Sequence, residues 1–210
     1  MALPKLQTPT HTLELPSTGE KIKFRPFLVK EQKLLMMAQE SGNEDEIANV
    51  MSDLIAECTF NEIDAAIVPM FDVEYIFLQI RGKSVGETIK LNVLCDDGET
   101  RVSVDLNIDD IFITVDDEHT NEINLTKDVK ITFRYPVLAD MKNLISIKSN
   151  TSIMYKLLTK CIQKIEYGDD VYEKADMTDK EVDEFVDSLT TEQFQNVIKF
   201  FETMPKLRHV

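Results

Sequence analysis

The stretch from Asp72 to Val115 places the strongest constraint on what this chain can become. It opens with the apolar segment DVEYIFLQIRGKSVGE, where Val73, Ile76, Phe77 and Ile80 repeat at helical spacing. Tyr75 and Leu78 widen that stripe, so the helix is expected to be buried on more than one side. Two alternating segments follow, TIKLNVLC and TRVSVDLN. Ile89, Leu91 and Val93 share one face of the first, and Val102, Val104 and Leu106 share one face of the second. Alternation this regular fits a sheet with one covered face and one wet face. The turn Asp96-Asp97-Gly98-Glu99 supplies the positive-φ position that a tight hairpin needs. Ile111, Ile113 and Val115 can add a third strand.

The rest of the chain is organised around this unit. Residues 1–10, with Pro4 and Pro9, read as an extended arm. His11 to Leu15 and Lys21 to Arg25 alternate around the turn residues Pro16 to Glu20, which predicts a first hairpin. Leu28 to Ser41 predicts a helix with an apolar block from Leu34 to Ala38, closed by Gly42. Asn43 caps a second helix, on which Ile47, Val50, Met51, Leu54, Ile55 and Cys58 recur at i, i+3, i+4, i+7 and i+8. Glu44, Asp45, Asn49, Asp53 and Glu57 make its solvated side. Asp72 is placed to cap the central helix.

Beyond the polar loop Asp116–Asn121, Glu122 to Leu125 and Val129 to Phe133 predict two more strands. The character then turns helical, over Val137 to Ile145 and again over Ser152 to Ile165. Tyr167 to Ala175 is a turn with room for a strand pair. Thr178 with Glu181 and Thr190 with Gln193 match successive capping boxes, predicting an αα-hairpin. No internal repeat is evident. The fold class is α+β: an N-terminal β-hairpin and helices, a central antiparallel sheet, and a helical C-terminal third. The division is 1–135 against 136–210, within one compact unit. At 210 residues such a chain buries a core without disulfide or metal staples.

Function classes are narrowed mostly by exclusion. Lys plus Arg number 23 and Asp plus Glu 38, a formal net charge of −15. Such a chain is repelled by phosphate backbones and anionic membranes, so no nucleic acid and no membrane are expected as partners. Cys58, Cys95 and Cys161 stand far apart, which suggests a reducing compartment, and Cys58 and Cys161 fall on the apolar stripes of predicted helices, as buried inert thiols do. There is no CxxC and no clustered Cys/His set, and Asp116-Asp117-Glu118-His119 lacks the spacing of a calcium loop, so no metal is expected. The start MALPKLQTPT has no apolar core of a signal peptide, and no run reaches the length of a membrane span. His11, His119 and His209 adjoin no nucleophile, so no catalytic residue is assigned and no enzyme, cofactor or small-molecule substrate is expected. Gly82-Lys83-Ser84 follows a helix and lacks the earlier glycine of a phosphate loop. Aromatic and Met residues favour protein interfaces, which makes Phe24, Phe27, Phe200, Phe201, Met204 and Leu207 candidate partner-binding residues, with packing in the core as the other reading.

Four segments carry a family resemblance: MALPKLQTP, LPSTGEKIKFRPFLVKEQKLLMMA, YIFLQIRGKSVGETIKLNVLC and the closing FFETMPKLRHV. The chain resembles the baseplate hub assembly proteins of T-even-type contractile-tailed bacteriophages. The resemblance implies a late protein that acts in the host cytoplasm during assembly, either transiently or as a minor component of the virion tail baseplate, binding other baseplate hub proteins in a structural or chaperone-like role. Some relatives carry a cysteine pair in the hairpin turn; here Cys95 stands alone, so no metal site is carried over. A different class of function, suggested by the −15 charge, is an acidic decoy that occupies a host nucleic-acid-binding protein.

Overall fold

The computed structural model describes residues 6–96, 98–141, 144 and 149–209. In chain order the elements are β1 (His11–Glu14), β2 (Lys21–Phe24), α1 (Val29–Ser41), α2 (Glu44–Cys58), α3 (Met70–Val85), β3 (Thr88–Leu94), β4 (Arg101–Asn107) and β5 (Ile111–Thr114). There follow β6 (Glu122–Asn124), β7 (Val129–Phe133), α4 (Leu138–Met141), α5 (Asn150–Cys161), β8 (Ile162–Tyr167), β9 (Asp170–Glu173), α6 (Asp179–Asp187), α7 (Thr191–Thr203) and β10 (Lys206–His209). The fold is α+β. The chain forms two compact units, one running to Ile113 and including the residues from Leu207 onward, the other Thr114–Lys206. The boundary falls there, not at 135/136, because β7 pairs with β8 and the two belong to one sheet.

In the first unit β1 and β2 form the expected hairpin, with Leu13 opposite Ile22 and His11 opposite Phe24. Its inward side chains meet Leu54, Ile55, Ile76 and Ile80 in one core. Asn43 caps α2 by accepting the N–H groups of Asp45 and Glu46, and satisfies donors the helix cannot. The acidic side of α2 is exposed, as its spacing requires. The central helix begins at Met70, with Pro69 as its N-cap three residues before the expected cap. Asp72 is therefore not the cap. It is fully buried in the first turn and accepts hydrogen bonds from the backbone N–H and the hydroxyl of Ser17, which pins the β1–β2 turn to α3. In α1 only Ala38 of the expected apolar block is buried, while Leu34, Met36 and Met37 are about half exposed. Five consecutive residues wrap the whole circumference of a helix and cannot share one core.

The central sheet departs from expectation. β3 and β4 pair only with each other, and β5 pairs with β10. A single 3-10 turn at Ile108–Asp110, capped by the Asn107 side chain accepting from Asp109 N–H, leads the chain away after β4.

In the second unit the strand order is β6-β7-β8-β9, all antiparallel. Both capping boxes are formed, Thr178 with Glu181 and Thr190 with Gln193. The helix expected to reach Ile165 ends at Cys161, and Ile162–Tyr167 becomes β8. Ile162 and Ile165 are buried against Phe133 and Ile131 of β7, a pairing that local helical spacing cannot reveal. The expected helix Val137–Ile145 is α4 over Leu138–Met141; Lys142, Asn143 and Ile145 lie outside the described residues, as does Asp97 of the hairpin turn.

The two units carry the same module, which corrects the expectation of no repeat. Lys21-Ile22-Lys23-Phe24-Arg25 ends the first hairpin, and Lys130-Ile131-Thr132-Phe133-Arg134 ends the second. The Arg25 guanidinium donates to Glu31 at 3.0 Å and to the Pro26 carbonyl. Arg134 donates to Asp140 at 2.6 and 2.8 Å and to the Tyr135 carbonyl. In both, that carboxylate also accepts the N–H three residues after the arginine, from Leu28 and Val137. In both, the arginine N–H donates at 2.9 Å to the carbonyl of a buried cysteine that ends a helix, Cys58 in α2 and Cys161 in α5. The spacing from arginine to cysteine differs between the copies, so no fixed period marks them in the sequence.

Candidate docking surface on an uncovered hairpin

The β3–β4 hairpin carries six apolar residues on one face, paired as Ile89 with Leu106, Leu91 with Val104 and Val93 with Val102. Ile89 and Leu106, nearest the base, are half-buried. The other four are open: Leu91 41%, Val93 47%, Val102 46% and Val104 37% exposed. The opposite face places Lys90 across from Asp105 and Asn92 across from Ser103, side chains suited to water. The hairpin is thus wet on both faces, whereas its alternation is that of a strand pair with something to cover. A two-stranded hairpin is marginal by itself in water, and an uncovered aliphatic stripe is a common mark of an interaction site.

The base of the arm is held firmly. Ile108 is buried and its N–H donates to the Glu87 carbonyl. Its side chain lies against Gly82 of α3 so closely that a Cβ there would stand 3.1 Å from Ile108 Cδ1. Gly82 is therefore a packing glycine. Gly82-Lys83-Ser84 lies inside α3, with Lys83 paired to Glu87 and the Ser84 hydroxyl donating to the Ile80 carbonyl.

The six partner-binding candidates lie elsewhere: Phe24, Phe27 and Leu207 in the first unit, Phe200, Phe201 and Met204 in the second. Phe24 and Phe200 are each 1% exposed and are core residues of the first and second unit. Phe200 stacks on Phe133 with ring centroids 5.1 Å apart, and Phe201 meets Phe200 edge-on at 5.0 Å. Phe27, Phe201, Met204 and Leu207 are half-buried; Phe27 also donates its N–H to Ser84 Oγ, and Leu207 sits in β10. Aromatic content at helix and strand ends marked core anchors here, since a ring fully surrounded by its own chain presents nothing to a partner. The hairpin face was visible as alternation in the sequence, but its exposure was not.

His119, expected in a solvated loop, is half-buried. Its ring nitrogens hydrogen-bond with Thr203 Oγ1 at 2.9 Å and Tyr135 Oη at 3.0 Å, and the ring stacks on Tyr135. Burial lowers its pKa, against the smaller raising effects of Asn121 and Asp116. Burial also pushes the Cys58 thiol up to about 11 and the Cys161 thiol up to about 12. At neutral pH both are protonated and unreactive. Among the described residues no group of three or more His, Cys, Asp or Glu side chains is placed to hold a metal ion, and no helix is long and apolar enough to cross a membrane.

These features define an α+β protein of two related small-sheet units, one of which extends an apolar arm. The chain belongs to the family described as T4 bacteriophage base plate protein, which matches residues 8–210. It is therefore a phage baseplate protein. No curated protein and no solved structure matches it.

Proposed function

We propose that this baseplate protein is a hub assembly factor, binding other hub subunits through the β3–β4 face while the baseplate is built, with no catalytic step. The observation that carries the reading is the uncovered aliphatic stripe Leu91, Val93, Val102 and Val104 on an arm whose base is fixed to α3. A strand pair with this pattern gains stability when a second surface covers it, which suits a protein that holds neighbours. Family membership supports baseplate partners in particular.

The test is affinity purification of the tagged protein from infected cells. Hub proteins recovered with the wild-type chain and lost with a Val93→Thr/Val102→Thr variant support the reading. Absence of every hub protein, or a host nucleic-acid-binding protein in their place, overturns it. Mass spectrometry of purified virions separates a transient factor from one retained in the particle.

A further inference from the structure

The second unit carries a groove that the hairpin reading does not use. Its volume is about 460 Å³. Val129, Ile165, Tyr167 and Tyr172 line it from the sheet, and Met177 and Phe185 from the segments that follow β9. Volume of this order suits a bound side chain or small ligand, and Tyr, Phe and Met are the residue types that concentrate in interface pockets. Tyr167 is 59% and Tyr172 46% exposed, so both rings stand open beside it.

Two further observations say what fits there. β9 is an edge strand with all four residues exposed, and no strand pairs with its outer side among the described residues. Its free backbone groups can accept an added strand. The surroundings are also strongly acidic. Asp176 and Glu181 line the groove, and Asp169, Asp170 and Glu173 lie on or beside the edge strand. Asp169, Asp170, Glu173 and Asp176 make no ion pair among the described residues. The nearby lysines are engaged: Lys130 and Lys164 with Glu166, and Lys174 with Asp179. A second copy of a chain with net charge −15 would bring like charge to this rim.

We propose that this groove and the β9 edge bind an extended segment of another protein, with one aromatic or large aliphatic anchor flanked by Lys or Arg. The anchor seats between the tyrosines and Phe185, the backbone pairs with β9, and the basic residues meet Asp170 and Asp176. The groove belongs to the second unit and the β3–β4 hairpin to the first, so no residue is shared between the two sites.

Fluorescence anisotropy on the full chain tests it with two labelled peptides, Lys-Arg-Val-Phe-Val-Lys and its charge-reversed counterpart Glu-Asp-Val-Phe-Val-Glu. The basic peptide is expected to bind saturably and at least tenfold more tightly than the acidic one, with affinity falling as salt rises. Tyr172→Ser and Asp176→Lys alter exposed side chains; each is expected to weaken the basic peptide about tenfold while the melting temperature holds. The Val93→Thr/Val102→Thr variant is expected to bind the peptide as wild type does, which separates this site from the hairpin. Equal binding of both peptides, no saturable binding, or unchanged affinity in folded Tyr172→Ser and Asp176→Lys proteins overturns the proposal.

Discussion

Replacing Val93 and Val102 together by threonine changes the hairpin face with little effect on the hairpin itself. The two residues sit directly opposite each other, and threonine keeps the branched Cβ that suits a strand. Both valines are nearly half exposed, 47% and 46%, so the free protein loses little apolar burial. Its stability is expected to shift by no more than about 0.5 kcal/mol, the usual range for surface substitutions. A covered face behaves differently. Each threonine hydroxyl placed against a partner's apolar surface without a hydrogen bond costs about 1–2 kcal/mol. The pair then costs about 2–4 kcal/mol of binding, roughly a 30- to 1,000-fold loss of affinity. The open parts of Leu91, Val93, Val102 and Val104 together equal nearly two fully exposed aliphatic side chains. Covering them contributes about 2.5–5 kcal/mol, enough for the loss to be realised. The assay is titration of the variant against the hub subunit recovered with the wild type, alongside thermal unfolding of the free chain. Unchanged affinity refutes the docking role. A drop of several degrees in the free protein's melting temperature refutes the premise that the face is uncovered.

The repeated arginine latch yields two further expectations. Arg25→Met takes from the buried carboxylate of Glu31 its buried charged partner and leaves it the Leu28 N–H and the exposed Lys30, at a cost of about 1.5–3 kcal/mol to the first unit. Adding Glu31→Gln should recover part of that loss, and amide hydrogen exchange in β2 and α2 would read both effects; a cost below about 1 kcal/mol would count against the latch. Glu31 and Asp140 also set an acid limit. Burial raises both carboxyls, but hydrogen bonds from their arginines and from Leu28 or Val137 outweigh it and hold both below their ordinary values of 4.5 and 3.8. Their stabilisation is thus present in full above those values and lost as pH falls through the lower folded ones, which carboxyl NMR titration with parallel unfolding curves would follow. Asp72 has the opposite sign. Burial raises it despite the Ser17 hydrogen bonds, so its part is present at low pH and lost as pH rises through its raised value. Thiol labelling of the native chain near pH 8 should modify Cys95 alone, with Cys58 and Cys161 reacting only after unfolding; labelling of either at the rate of Cys95 would contradict their burial.

Local chemistry in this chain is read well from the residues. Thr178-x-x-Glu181 and Thr190-x-x-Gln193 form the boxes they spell, because a capping box closes within four residues. Asn43 caps α2, and the alternation of Lys21–Phe24 and Thr88–Leu94 becomes strand. Whether an apolar face meets a partner within its own chain is not local. Phe24 and Phe200, which could be read as partner anchors or as core, are enclosed by their cores, while the hairpin stripe read as a covered face stays open. Ile162 and Ile165 fit a helix by spacing and form a strand because β7 offers an edge to pair with. The sequence by itself therefore determined the caps of α2, α6 and α7, the strand alternation and the acidic balance, each set by neighbours along the chain. Only the tertiary structure decided which faces are covered, that one arginine–carboxylate–cysteine module occurs twice, and where a groove opens beside β9. Those depend on pairings between residues distant in sequence, and periodicity carries no record of such partners.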